Sequence, residues 1–181
     1  MSDIKPPIKG YAIWFDADVE SQTKLQGLIN TLAEWYEVES FLAHATLIGL
    51  LDKTKADLEA MQLACRELAG MFSEVLCEIT GVGVRDAYFQ SVFLTAVPSD
   101  KIVAINSQAR ILLGHEADVP YMPHWSAVYG DFSAEIKKGI VSDAWGTVEL
   151  PMTVQLRNIN LVDVSGHPKE WKIIESFPIG K

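Results

Sequence analysis

The sequence predicts an α+β protein on three features. Segments with alternating apolar residues read as strands. Between them, apolar residues recur at three- and four-residue spacing, as on the buried stripe of a helix. A hairpin pattern in mid-chain and a closing run of strand-like segments favour antiparallel or mixed pairing over a parallel sheet.

In chain order, Lys9 to Asp16 alternates, with Tyr11, Ile13 and Phe15 against Ala12 and Trp14, and predicts a strand. Leu25, Leu28, Ile29, Leu32 and Tyr36 follow at helical spacing, with Asp18 or Ser21 as N-cap. Phe41 to Leu50 predicts a second strand. Thr54-x-x-Asp57 opens a second helix in capping-box style; it carries Leu58, Met61, Cys65 and Leu68 inward and stops near Gly70. Val75 to Val84 and Ser91 to Val97 predict a hairpin around a Gly/Arg/Asp turn. Ser99 starts a third helix, with Ile102, Ile105, Ala109 and Leu112 inside and Gly114 closing it. His124 to Gly130 predicts a strand and Ser133 to Val141 a short helix. Thr147 to Phe177 is mostly strand-like.

Composition narrows the function. The 181 residues include 15 Lys and Arg against 24 Asp and Glu, a formal charge of −9. A surface built to grip a polynucleotide or an anionic membrane needs clustered cations, and the chain has no such run. Its longest near-apolar stretch, Phe41 to Leu51, is broken by His44 and Thr46 and is too short to cross a bilayer. The N-terminal MSDIKPPIKG has no apolar signal core. Two cysteines are too few for a disulfide scaffold or a cysteine-rich zinc site. A soluble, cytoplasmic, monomeric protein of one domain, residues 1–181, is expected. An anionic ligand has to be held locally, against the overall field.

One internal repeat carries chemistry. His44-Ala45-Thr46-Leu47-Ile48 is echoed by His124-Trp125-Ser126-Ala127-Val128, each a His-x-Thr/Ser followed by two apolar residues in a predicted strand. Side chains alternate along a strand, so each segment presents an imidazole and a hydroxyl on one face. Two imidazoles on opposite sides of a phosphorus atom suit in-line displacement, one activating water and the other protonating the leaving oxygen. Two hydroxyls can donate to the non-bridging oxygens, where charge builds up. Such chemistry calls for no metal and no cofactor.

The two motifs resemble the paired His-x-Thr/Ser signature of the 2H phosphoesterase superfamily. YAIWFDAD, YFQSVFL and MPHWSAVYGDFS are similar to strands of its plant and yeast cyclic phosphodiesterase branch, in the same order. The resemblance implies a bilobal fold, with two related antiparallel sheets flanked by helices around a central cleft. It implies hydrolysis of a cyclic phosphodiester, such as ADP-ribose 1″,2″-cyclic phosphate or a nucleoside 2′,3′-cyclic phosphate. By carry-over, His44 and His124 are the acid–base pair, with His124 as base and His44 as acid. Thr46 and Ser126 bind phosphate. A tyrosine near Tyr129 lines the same pocket, although strict alternation sets residue 129 on the face opposite His124.

Other readings stand beside these. The two histidines can be buried core residues, or zinc ligands with a carboxylate, though no His-x-x-x-His or Cys-x-x-Cys accompanies them. An RNA-end-processing protein resembling the 2′-5′ RNA ligase-like members is an alternative, opposed by the low Lys and Arg count. A non-catalytic nucleotide-binding module is another. Trp14, Tyr88, Phe89 and Tyr121 are packing residues that can also stack on a base. Gln90 can reach a ligand, and Arg85 with Asp86 reads as a solvated turn, although an arginine over the cleft would attract a cyclic phosphate. Gly81-Val82-Gly83 reads as a bulge and not a phosphate loop. Trp125, Leu47, Ala45 and Cys65 read as core, and His115 and His167 as loop residues.

Overall fold

Polar caps mark where the helices begin. In the computed structural model, which describes residues 4–54, 57–115 and 120–180, Asp18, Asp57, Ser99 and Ser133 each accept a first-turn backbone N–H. The elements run β1 (Tyr11–Ala17), α1 (Val19–Trp35), β2 (Ala45–Leu51), α2 (Leu58–Met71), β3 (Val75–Val84) and β4 (Val92–Ala96). They continue with α3 (Asp100–Leu113), β5 (His124–Val128), α4 (Ala134–Thr147), β6 (Met152–Asp163) and β7 (Lys172–Pro178). Gly114 closes α3 in the left-handed conformation, as its position predicts.

Of the boundaries that differ from the sequence expectation, three have a visible local cause. Helix α2 is capped by Asp57, not opened at Thr54, whose hydroxyl bonds Asp52 instead. Strand β2 begins at Ala45, because the backbone before it is held by the α1 side chains Gln22 and Gln26. Helix α4 runs six residues past Val141, through a stretch whose glycine and polar residues blur the apolar period.

Every strand pairing is antiparallel. The order is β1-β2-β5-β4-β3-β6-β7, and β1 also pairs with β6. Six strands therefore form a ring of ladders, closed by the 12-residue β6. Its first part, Met152–Leu156, pairs with β3; the rest pairs with β1 on one edge and β7 on the other. The α+β class and the antiparallel pairing are as expected, but the two halves share one hydrogen-bonded sheet. β6 is long enough to serve both.

The ring repeats itself. Exchanging β1, β2 and β6 with β4, β5 and β3 converts the β1–β2 and β1–β6 ladders into β4–β5 and β4–β3. The helices follow: α1 packs on β5 and α4, as α3 packs on β2 and α2. On the helical face, Ile13, Phe15, Leu47, Leu94 and Trp125 are buried with residues of the helices in the main core. On the other face a smaller cluster joins Ala12, Trp14, Val162 and Val164. Among the described residues no helix is long and apolar enough to cross a membrane.

Candidate active site

The halves meet where the two motifs lie. β2 pairs with β5 at Ala45 and Trp125, whose side chains are core. Counting one residue either way along antiparallel strands sets His44 opposite Ser126 and Thr46 opposite His124. The four polar side chains thus occupy the corners of a square on one face, each histidine diagonal to the other. Diagonal neighbours lie roughly 7–8 Å apart, room for a phosphoryl group between two imidazoles.

Both rings are fixed in the same way. His44 Nδ1 lies 2.6 Å from the Leu42 carbonyl, and His124 Nδ1 lies 3.0 Å from that of Met122. A carbonyl only accepts, so each Nδ1 carries hydrogen and each neutral ring keeps its lone pair on Nε2. Burial pushes the His44 pKa down to about 4; the Leu42 carbonyl opposes the shift and neighbouring His124 adds to it. Burial also lowers His124, against the pull of the Met122 carbonyl, and the charge of Arg85 lowers it further.

The flanking strands supply walls that obey the same exchange. Trp14 pairs with Thr46 on one side, and Phe93 with Ser126 on the other. The Trp14 ring stacks on His44 at 3.6 Å, while Phe93 meets His124 edge-on at 5.2 Å. Gly83 lies opposite Phe93, and a Cβ there would sit 2.8 Å from the ring. The Gly-Val-Gly segment follows a register shift after Ile79, a bulge as its sequence suggests.

Ser126 Oγ donates to the Phe89 carbonyl at 3.0 Å, and Tyr129 lies near Ser126. Tyr129 reaches that side because β5 ends at Val128, which releases it from strict alternation. Burial raises its pKa, and its ring stacks on Phe41 at 3.8 Å. Tyr121 is deeply placed, its hydroxyl donating to the Thr46 carbonyl at 2.9 Å. Tyr88 meets Phe89 edge-on. Cys65 is buried in the core, and burial pushes its thiol up to about 12. Among the described residues no three His, Cys, Asp or Glu side chains group as a metal site would require.

Two groups near the histidines stand out beyond the motifs. Gln90 Nε2 lies 3.0 Å from His124 Nε2, and its Oε1 accepts from Arg85 Nη1 at 3.1 Å. Arg85 and Asp86 are exposed, as a solvated turn would be, but the Arg85 guanidinium reaches back to Gln90 and Met122. Trp171, which sequence reasoning passed over, has its ring centroid 5.6 Å from Trp14, 6.4 Å from His44 and 5.7 Å from Phe89. Beside it opens a cavity of about 450 Å³, lined by Trp14, Phe41, Leu42, Lys169 and Trp171 among others. Glu39 ties this wall together by its ion pair with Lys169 at 2.7 Å. An aromatic residue after the Ser-Gly-His-Pro turn was the available signal for Trp171, and it is a weak one.

No family model matches the chain. A curated relative, cyclic phosphodiesterase of Arabidopsis thaliana, is 25% identical over 146 residues, covering 80% of this chain and 77% of that protein. Among solved structures, TT0787 of Thermus thermophilus matches 94% of this chain and 97% of its own, with TM-score 0.67 and 15% identity. E. coli LigT complexed with 3′-AMP matches 96% of this chain and 99% of its own, with TM-score 0.61 and 13% identity. In sequence the chain is similar to a cyclic phosphodiesterase and in fold to TT0787 and LigT, in keeping with the 2H phosphoesterase resemblance that its two motifs carry.

Proposed function

We propose that this phosphodiesterase opens a small cyclic phosphate carried on a nucleotide or an ADP-ribose derivative, giving a phosphomonoester. The observation that carries the reading is the square of two imidazoles and two hydroxyls around the Ala45–Trp125 pair. Similarity to a cyclic phosphodiesterase supports it, and the 3′-AMP complex of LigT is in keeping with a small nucleotide ligand.

In this reading His124 Nε2 takes a proton from water as the water oxygen attacks phosphorus. The bond from phosphorus to the ring oxygen breaks on the opposite side, and protonated His44 gives its proton to that oxygen. Thr46, Ser126 and the Tyr129 hydroxyl donate to the non-bridging oxygens, where negative charge grows. Short neutral donors are suited to an acidic chain. They hold the oxyanion without an arginine cluster.

Kinetics on 2′,3′-cyclic mononucleotides test this. His44→Ala and His124→Ala should each lose at least about a hundredfold in kcat. The wild type should show a bell-shaped pH profile that loses one limb in each variant, and should keep its activity in chelator. Full turnover in both variants would overturn the reading. Faster turnover of a cyclic-phosphate-ended oligonucleotide than of a mononucleotide would favour RNA-end processing instead.

A further inference from the structure

The two motifs are related by exchange, but their surroundings are not. At His124 the reactive nitrogen is met by Gln90 Nε2 at 3.0 Å, and Gln90 Oε1 is held by Arg85 Nη1 at 3.1 Å. Arg85 Nη2 rests on Met122 Sδ at 3.3 Å, and Met122 also supplies the carbonyl under His124 Nδ1. Guanidinium only donates, so the amide oxygen must face Arg85 and the amide N–H must face the imidazole. Turning the amide round would set two donors against each other at Arg85. His44 is held differently, with Trp14 stacked flat on its ring.

We propose that Arg85 and Gln90 form a positioning relay that keeps the His124 Nε2 lone pair unprotonated in the resting enzyme, which makes His124 the base of an otherwise symmetric pair. The proposal rests on the phosphodiesterase reading for its catalytic consequence, but not for its chemistry. A protonated Nε2 would face the N–H of Gln90, and the amide cannot turn to accept it while Arg85 holds the oxygen. As substrate seats, the attacking water replaces the amide at Nε2, and the amide stays anchored beside it. Gln90 and Arg85 act through His124; they are positioning residues.

Among the described residues, the charged and titratable groups facing His124 are Arg85, which follows β3, and His44 from β2, with Tyr129 beyond the end of β5 near Ser126. From α4, Lys137 anchors the Arg85 carbonyl at 2.8 Å and pairs with Asp86 at 2.7 Å. Arg85 is thus held by its backbone as well as by its side chain.

Imidazole nitrogen NMR on the ligand-free protein tests the relay directly. In the wild type, neutral His124 should carry hydrogen on Nδ1. Gln90→Glu places an acceptor at Nε2, so the His124 titration midpoint should rise by about one pH unit or more. Arg85→Ala and Gln90→Ala should raise it less, and Arg85→Lys least. In variants that melt like the wild type, kcat/KM on a nucleoside 2′,3′-cyclic phosphate should fall roughly tenfold for Arg85→Ala, with partial recovery in Arg85→Lys. An unmoved His124 midpoint in Gln90→Glu and Arg85→Ala would overturn the relay, as would unchanged kcat/KM in both. A shifted midpoint in a protein that turns over no cyclic phosphate would uphold the relay's chemistry and sink the phosphodiesterase reading.

Discussion

The hydroxyls of Thr46 and Ser126 start from unequal positions. Ser126 Oγ is engaged with the Phe89 carbonyl and must rotate to meet a phosphoryl oxygen. Thr46 lies at the end of a Trp14 wall, its carbonyl fixed by Tyr121. Thr46→Val keeps the shape and removes the donor; kcat should fall roughly a hundredfold, with a small change in KM. Ser126→Ala should do the same in steady-state assays, and an unchanged kcat in both would remove them from the site. At this scale the four motif side chains were legible, because period two alone decides which residues share a face. Trp171 was not, and Gln90 was legible only as a polar residue able to reach a ligand, without its bond to His124. Each reaches its partner through irregular backbone, a 3₁₀ turn at Tyr88–Gln90 or the connection before β7, where no period constrains direction.

Among the elements, β3 bends its composition to the site. Its Gly83 makes room for the Phe93 ring that stands edge-on to His124. Gly83→Ala forces the ring to shift and should cost about 1–3 kcal/mol. A drop of several degrees in melting temperature would register it. Gly27 is the matched control. It lies exposed within α1 with nothing within 4 Å of an added Cβ, so Gly27→Ala should stabilise by about 0.5–1 kcal/mol. Most elements could be read from the chain because caps and apolar spacing agree, as at Ser99 and Gly114 around α3. Helix α4 was cut short because Gly139 and Gly146 interrupt that agreement, and tertiary packing against α1 and β3 overrides them.

For the molecule as a whole, closure of the ring through β6 was beyond local reading. Which edges Met152–Leu156 and the residues after it pair with depends on contacts far apart in sequence. The buried histidines, in turn, tie the stability of that ring to pH. His44 has a folded pKa of about 4 against an ordinary 6.5. Above 6.5 the ring is neutral folded or unfolded, and nothing changes. As pH falls from 6.5 toward 4, the unfolded chain takes a proton that the folded chain refuses, and about 3 kcal/mol of stability is lost. Urea midpoints between pH 7 and 5 should fall in the wild type and fall less in His44→Gln; equal slopes would contradict this origin. The burial of His44 and His124 has one more consequence. With both imidazoles neutral at rest, the empty enzyme lacks the proton that its leaving group needs. That proton has to arrive with the substrate, drawn in by the charge of the phosphodiester. Calorimetric titration of His124→Ala with cyclic nucleotide, in buffers of different ionisation enthalpy, should show uptake approaching one proton at neutral pH. The substrate, on this account, arms its own acid.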